Sequence, residues 1–202
     1  MPVGLPKVPF LILVDEDEEI EWTDVYNALY KRRILILGSE ITSENANILL
    51  GALIYFSLTE SSGEFKLLIN SPGGSVIDGI ALYDTINTLV PPVETTAVGV
   101  AASMACFILS GGTSRTAFPH ARVMMHQPSS SLSDVEIEDM VMEMQAIEKI
   151  RDCIIDGYKK ATLKSRKEIM NTLEKDVFMS AIEAKEYRLV DHIVGENGFE
   201  FP

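Results

Sequence analysis

The sequence predicts a single α/β domain in which βαβ units surround a largely parallel sheet. Three observations support this prediction. The chain has 202 residues, of which 47% are apolar and 23% charged, and this is enough for one α/β domain with its own core. Short apolar runs alternate with patterns of helical length, and glycine or proline separates several of them. Strands that alternate with helices at this spacing are typical of right-handed βαβ units.

The alternating elements lie in the first half of the chain. The predicted strands are Arg33–Leu37, Phe65–Asn70 and Val93–Val98. The predicted helices are Thr42–Ser57, Val76–Thr88 and Ser103–Leu109, and the third is expected to be buried on all sides. Thr42 or Ser43 is the expected cap of the first helix, with Glu44 in its first turn. Pro91-Pro92 ends the second helix.

The second half begins with one long helix. Ser133 and Glu136 form a capping box, and the helix is predicted to continue to about Lys160. Apolar residues three or four apart form a single stripe on it, from Ile137 to Tyr158. Because the helix would be about 40 Å long, we expect it to project and to bury this stripe against a partner subunit. The alternative is a helix that lies across its own sheet.

A shorter helix follows near the end of the chain. Ser180 and Glu183 form its capping box, directly after Asp176-Val177-Phe178. The chain then closes with the apolar pairs Leu189-Val190 and Ile193-Val194.

Composition excludes several classes of protein. Acidic residues outnumber basic ones by 30 to 17, and the net charge of −13 with no Lys/Arg run argues against nucleic-acid binding. No signal or transit peptide is recognisable, and the longest apolar run, Ala97–Leu109, is too short to cross a bilayer. Cys106 and Cys153 lie in apolar helical surroundings, so buried thiols are expected rather than a disulfide, and no metal-ligand pattern is present.

The strongest local signal is the segment Val98–Met104, in which small residues connect a strand to a buried helix. Ser103 stands at the first turn of that helix, where free N–H groups and the helix dipole favour an oxyanion. This arrangement resembles a nucleophile elbow, although the G-x-S-x-G motif is missing. The other interpretation is that Ser103 is an ordinary helix cap.

A nucleophilic serine needs a base, and the chain has three histidines. His126 follows the apolar run Arg122–Met125, and working residues of α/β proteins lie at strand ends. His120 has the pattern of a loop residue, and His192 that of a surface residue. The residues around His126 are as consistent with a structural role for this histidine as with a functional one.

Two further features fit the same site. Asp176 precedes an apolar run and a capped helix, so it is a candidate for the carboxylate that orients the base, or else a solvated turn residue or an alternative cap. Asn70-Ser71-Pro72-Gly73-Gly74 has the flexibility to turn backbone N–H groups towards a bound carbonyl, or else it is a plain βα turn.

These segments, in this order, resemble the ClpP family of serine peptidases from about Val25 to Val194. The matching segments are INSPGG at Ile69–Gly74, YDT at Tyr83–Thr85, GVAASM at Gly99–Met104, AFPHARVMMHQP at Ala117–Pro128 and EKDVFMSAIEA at Glu174–Ala184. The first nine residues, with Met1-Pro2-Val3-Gly4 and Pro6-Lys7-Val8-Pro9, further resemble the plastid-encoded members of plants and algae.

The resemblance implies a role for each matched residue. Ser103 is the expected nucleophile, His126 the general base and Asp176 the carboxylate that orients the imidazole. The backbone N–H groups of Gly74 and Met104 are the expected oxyanion hole. The implied reaction is peptide hydrolysis through an acyl-enzyme, without a metal or a cofactor.

The resemblance also implies an architecture and partners. The expected fold is a crotonase-like α/β head over residues 25–194 with a projecting helical handle at about 129–161, preceded by a segment over 1–24 and followed by a tail over 195–202. Handles would interlock two stacked seven-membered rings, uniform or mixed with related Clp subunits, around a closed chamber. Because the chain has no G-x-x-x-x-G-K-[ST] loop, a separate AAA+ Clp unfoldase is expected to use the ATP and to deliver protein and peptide substrates. The expected location is the plastid stroma, and the alternative is the bacterial cytoplasm.

The chain departs from the family pattern in three places. The loop after Gly111-Gly112 is shorter, Cys106 replaces a small residue, and Ser129-Ser130-Ser131 replaces the usual glycines. Two other functions are alternatives: a weakly active or structural subunit of a mixed Clp ring, and a crotonase-type acyl-CoA enzyme. The retained Ser, His and Asp argue against the first, and an acyl-CoA enzyme does not need this set.

Overall fold

A computed structural model of the chain describes residues 4–14, 17–59, 63–127 and 137–196. Its strands are β1 Lys7–Val14, β2 Asp17–Asp24, β3 Ile34–Leu37, β4 Phe65–Ser71, β5 Val93–Ala102, β6 Arg115–Ala117, β7 Arg122–Met125, β8 Val177–Ser180 and β9 His192–Ile193. Its helices are α1 Val25–Lys31, α2 Ser43–Thr59, α3 Val76–Thr88, α4 Met104–Ser110, α5 Ile137–Thr162, α6 Arg166–Leu173 and α7 Ala181–Tyr187.

The main sheet is parallel along the order β3-β4-β5-β6-β9. It forks at β5, because β6 pairs with Thr95–Ala97 of that strand and β7 pairs with Val100–Ala102 farther along it. Strand β8 then joins β7 in the antiparallel direction. The predicted α/β class with a largely parallel sheet is confirmed, and the fork places β7 and β8 beside the end of β5.

Helix α4 lies in the centre of the core. All seven of its residues are buried, as the sequence predicted. It contacts α3 and α5 as well as the strands β4, β5 and β7. The end of β5 therefore leads directly into the least solvated part of the molecule.

The predicted strands and helices of the first half are confirmed to within a few residues. Thr42 caps α2, since its hydroxyl accepts a hydrogen bond from the N–H of Asn45 at 3.4 Å. Strand β5 continues four residues beyond the predicted end at Val98, to Ala102. The glycine at position 99 obscured that continuation in the sequence.

Several elements had no counterpart in the sequence prediction, among them α1, α6, β6 and β9 and the first two strands. Strands β1 and β2 form an antiparallel hairpin at the start of the chain, over residues that the sequence predicted only as an N-terminal segment. Helix α6 begins with a capping box of Ser165 and Glu168, a signal that is present in the sequence. The predicted box of Ser180 and Glu183 is confirmed at the start of α7.

For the long helix α5, the interpretation that it lies against its own domain is confirmed in part. Its C-terminal part packs on the domain's own core, where Ile154 and Tyr158 are almost fully buried. Farther towards its start, Met144 exposes 57% of its surface. The predicted capping box of Ser133 and Glu136 lies outside the described residues.

The prediction for the cysteines is half correct. Both thiols are free and Cys106 is buried, but Cys153 is exposed. Cys153 points away from the core because the buried face of α5 runs through its neighbours Ile154, Ile155 and Tyr158.

Over the ranges that the structure describes, no helix is both long enough and apolar enough to cross a membrane. Over the same ranges, no group of three or more His, Cys, Asp or Glu side chains is arranged to hold a metal ion.

Candidate active site

Ser103 joins the end of β5 to the start of α4 in an unusual backbone conformation. Its φ of 54° and ψ of −123° are rare for a residue with a side chain, and such strain is typical of functional sites. Ser103 occupies the N-cap position, yet its hydroxyl makes no capping hydrogen bond. The half-buried hydroxyl is therefore not used to stabilise the helix.

The pairing of β5 with β7 determines where His126 lies relative to Ser103. The two strands are parallel with Ala102 opposite Met124, and the Ser103 N–H donates to the Met124 carbonyl at 2.9 Å. Both strands therefore end at the same edge of the sheet. His126 follows β7 by one residue, so it reaches the edge at which Ser103 stands.

The pairing of β7 with β8 determines the position of Asp176. The strands are antiparallel with Met125 opposite Val177, which places His126 and Asp176 opposite each other just beyond the paired residues. Nδ1 of His126 and Oδ1 of Asp176 are 2.8 Å apart. The Asp176 side chain is 67% exposed and that of His126 is 26% exposed. Asp176 is thus a solvated turn residue, as one interpretation held, and it also contacts the imidazole.

The other two histidines lie elsewhere. His120 is exposed in the turn before β7. His192 is on β9 opposite Thr116, so it is level with the first half of β5 rather than with its end. Of the three histidines, the structure places His126 at the edge of the sheet with Ser103.

The structure does not join all three side chains. Among the described residues, a hydrogen bond links His126 with Asp176, but none links the Ser103 hydroxyl with His126. Hydrogen bonds of a resting catalytic site are often long and tighten when substrate binds.

The turn after β4 packs directly against Ser103. Gly73 has a φ of 99°, and a Cβ atom placed there would lie 2.7 Å from the Ala102 carbonyl oxygen and 2.9 Å from Cβ of Ser103. Gly74 has a φ of 146°, and a Cβ atom there would lie 2.7 Å from the backbone nitrogen of Ile41. Glycine is needed at both positions because both the conformation and the space exclude a side chain.

Two backbone N–H groups, one in the glycine turn and one at the start of α4, make no hydrogen bond within the described part of the chain. They are the N–H groups of Gly74 and Met104. The Met104 nitrogen would lie 3.1 Å from a Cβ atom on Gly73, so the glycine turn and the start of α4 are adjacent. Free backbone donors of this kind suit the oxygen of a carbonyl under attack.

Asn70 has a role that the sequence did not reveal. The register between β4 and β5 shifts after Ile69, and the side-chain oxygen of Asn70 accepts a hydrogen bond from the Val100 N–H at 3.1 Å in the resulting bulge. A Cβ atom on Gly99 would lie 2.5 Å from that oxygen. Asn70 therefore stabilises the irregular part of β5 that leads to Ser103.

Cys106 is the other nucleophile-type residue near this site. It is one turn after Ser103 and is completely buried. Burial raises the pKa of its thiol to about 12, in spite of a lowering contribution from Tyr158. The thiol is therefore neutral and inaccessible, and Cys106 is a packing residue of α4.

Comparison with known proteins shows which proteins this sequence is similar to. The family model described as Clp protease matches residues 16–197. Similar proteins include the ATP-dependent Clp protease proteolytic subunits of Chaetosphaeridium globosum, 48% identical over 95% of each chain, and of Marchantia polymorpha, 48% identical over 98% of this chain and 97% of the relative. The subunit of the same name from Lotus japonicus is 46% identical over 97% of this chain and its own full length.

The family model covers most of the chain, and the relatives align over almost their whole length. The mixed α/β architecture with its mostly parallel sheet is consistent with the fold of that family. This chain belongs to the Clp protease family.

Proposed function

We propose that this chain is the proteolytic subunit of an ATP-dependent Clp protease and that it hydrolyses peptide bonds through an acyl-enzyme on Ser103. His126 is the general base, and Asp176 orients its imidazole. One observation carries the proposal: the registers of β5, β7 and β8 bring these three residues, which are far apart in the chain, to one edge of the sheet. The 2.8 Å contact between His126 and Asp176 supports their pairing.

The proposed reaction follows from these positions. Asp176 accepts a hydrogen bond from the Nδ1–H of His126, and this fixes the tautomer in which Nε2 is free to take the proton of the Ser103 hydroxyl. The Ser103 oxygen attacks the carbonyl carbon, and the Gly74 and Met104 N–H groups stabilise the oxyanion that forms. His126 then donates its proton to the leaving amine, and water hydrolyses the acyl-enzyme.

Formation of the Ser103–His126 hydrogen bond is a separate step in this proposal. The Asp176 side chain is largely exposed, so little packing opposes a small movement of the pair formed with His126. We propose that substrate binding or assembly of subunits brings the imidazole within reach of the hydroxyl.

The proposal includes an oligomer and a separate ATPase. The relatives carry the words "ATP-dependent" in their names, whereas this sequence has no Walker loop. We therefore assign ATP hydrolysis and unfolding of the protein substrates to a Clp chaperone partner. The subunits, uniform or mixed, form stacked heptameric rings around a chamber, and metals and cofactors have no role in the chain itself.

We place the protein in the plastid, in its stroma. The relatives compared above come from plants and algae. Their close similarity over the full chain supports the same compartment more than the alternative of a bacterial cytoplasm.

Neither alternative function is favoured. A structural ring subunit would not need the paired His126 and Asp176, or a strained serine whose hydroxyl makes no capping bond. An acyl-CoA enzyme of the crotonase type would need a nucleotide site, and the relatives are named as proteases instead.

Active-site labelling tests the proposal. The purified, assembled protein is treated with a fluorophosphonate probe, and mass spectrometry locates the modified serine. We expect modification of Ser103, and we expect Ser103→Ala to lose both labelling and peptide cleavage.

Ser57→Ala is the matched control, because Ser57 is a half-buried serine on α2 outside the site. It should retain labelling and cleavage. Labelling of another serine in the wild type, or full cleavage by Ser103→Ala, would contradict the assignment.

A further inference from the structure

The position of α4 determines the position of the proposed nucleophile. Ser103 precedes the helix directly, and the Met104 N–H belongs to its first residue. The helix has only seven residues and is buried throughout, so it moves as one piece with its neighbours. The packing that sets the distance between α4 and its neighbours therefore also sets the distance between Ser103 and the glycine turn.

One aromatic side chain of α4 occupies the space between two other helices. The ring of Phe107 stacks on Tyr83 of α3, with centroids 4.1 Å apart and planes at 20°. The same ring meets Tyr158 of α5 edge-on, with centroids 5.3 Å apart. Phe107 is 2% exposed, so the ring has no open space into which it could turn.

Gly157 of α5 is in direct contact with this ring. A Cβ atom placed on Gly157 would lie 2.5 Å and 2.8 Å from two carbons of the Phe107 ring and 3.1 Å from the Tyr83 hydroxyl. Distances below about 3 Å are well inside van der Waals contact between carbon atoms. Glycine in the interior of a helix lowers helix stability by about 1 kcal/mol relative to alanine, so its presence there has to be explained by packing.

We propose that Gly157 is a positioning residue for catalysis: by allowing α5 to approach Phe107, it holds α4, and with it Ser103 and the Met104 N–H, at the distance that the reaction requires. This inference rests on the proposed function. It adds Gly157 to the three residues assigned above. Gly157 lies on α5 and acts through its close approach to Phe107, without touching the substrate or the reacting atoms.

A methyl group at this position has a predictable effect. Because Tyr83 and Tyr158 confine the Phe107 ring, the strain moves α4 relative to the sheet rather than the ring alone. A displacement of about 1 Å in a reacting group lowers the rate by roughly a hundredfold. Ser103 and the Met104 N–H, which act on the carbonyl under attack, stand at the start of α4, so the displacement acts on the chemical step.

The test compares Gly157→Ala with wild type in the assembled protein. We expect kcat for a fluorogenic peptide to fall by about ten- to a hundredfold while KM changes by less than about twofold. The rate of fluorophosphonate labelling of Ser103 should fall in parallel. Adding Phe107→Leu, which removes the ring edge that meets the methyl group, should restore most of the lost kcat in the double variant.

Gly51→Ala is the matched control, since Gly51 is also inside a helix but has no heavy atom within 4 Å of the added Cβ. It should keep the wild-type kcat. The inference is overturned if Gly157→Ala assembles and keeps the wild-type kcat, or if the double variant assembles and is no more active than Gly157→Ala. If Gly157→Ala alone does not assemble, the double variant provides the test. A double variant that assembles and cleaves the peptide supports the inference. A double variant that does not assemble, or that assembles without cleaving the peptide, overturns it.

The two proposals fail separately. Absence of Ser103 labelling in the wild type contradicts the proposed function. Normal labelling of the wild type and undiminished labelling of Gly157→Ala contradicts the positioning role alone.

Discussion

At the scale of single residues, the candidate site contains two side-chain-bearing residues in conformations that usually belong to glycine. The φ values are 54° for Ser103 and 47° for Asp176. Each such residue costs on the order of 1–3 kcal/mol and persists only where its surroundings impose it. Here the surroundings are β5 and α4 for Ser103, and α6 and β8 for Asp176. Both strained residues belong to the proposed catalytic set.

Replacing the Asp176 carboxylate tests the orientation of the imidazole. Asp176→Asn keeps the size of the side chain, but its amide favours the wrong tautomer of His126. We expect kcat to fall by about 10³–10⁴-fold with a small change in KM. Steady-state peptide cleavage by the assembled protein measures both constants.

Asp84→Asn is the control for this substitution, because Asp84 is an exposed aspartate on α3. It should keep wild-type kinetics. An Asp176→Asn variant with more than about a tenth of the wild-type kcat would show that Asp176 does not orient the base.

At the scale of the elements, one ion pair joins three of them. The Arg115 guanidinium on β6 donates to both carboxylate oxygens of Asp191, at 2.8 Å and 2.6 Å, just before β9. It also donates to the carbonyl of Ala161 near the end of α5. Burial tends to raise the pKa of Asp191, but the hydrogen bonds and charge of Arg115 outweigh it, and the pKa is lowered.

This lowered pKa predicts how stability depends on pH. A carboxyl group whose pKa is lower in the folded state stabilises the protein above its unfolded pKa of about 3.9, and the stabilisation is lost as the pH falls through the folded value. Asp191→Asn should therefore lower the Tm at about pH 7, and the difference from wild type should shrink at about pH 3.

Thermal unfolding at several pH values measures this effect. Asp156→Asn is the control, since Asp156 is a mostly exposed partner of Lys159 on α5. It should lower the Tm by less than Asp191→Asn at neutral pH, because exposed pairs contribute little. A difference between Asp191→Asn and wild type that is the same at both extremes of pH would contradict the prediction.

At the scale of the whole molecule, α2 presents apolar side chains to solvent. Four large ones on this helix are about half exposed or more, namely Ile48, Ile54, Tyr55 and Leu58. Scattered apolar residues are normal on a surface, but several on one helix mark an interaction site. The proposed oligomer gives these side chains a partner.

Leu58 is the most exposed of the four, at 82%, so its replacement tests assembly with little effect on the fold. We expect Leu58→Glu to reduce the mass of the assembled particle, measured by light scattering, while circular dichroism stays unchanged. Asn47→Glu adds the same charge to an exposed polar position of α2 and should leave the mass unchanged. An unchanged mass for Leu58→Glu would exclude this face from the assembly.

The sequence predicted the elements wherever the signal is local. Caps and apolar spacing located α2, α3, α4 and α7 because these signals come from residues within a turn or two of each other. The same reasoning missed the β1–β2 hairpin, because strand pairing leaves a weaker pattern than helix packing. It also misplaced Cys153, because only tertiary contacts determine which face of a long helix is covered.

By itself, therefore, the sequence determined the α/β class, the buried helix behind Ser103 and, through its matched segments, the family. Among 30 acidic residues, however, composition and spacing favoured Asp176 only weakly over a solvated turn residue. Only the tertiary structure decided that Asp176 contacts His126, that the Ser103 hydroxyl makes no capping bond and that Gly157 meets Phe107. The physical reason is that strand register and helix approach depend on contacts between residues distant in the chain, whereas caps and periodicity depend on neighbours.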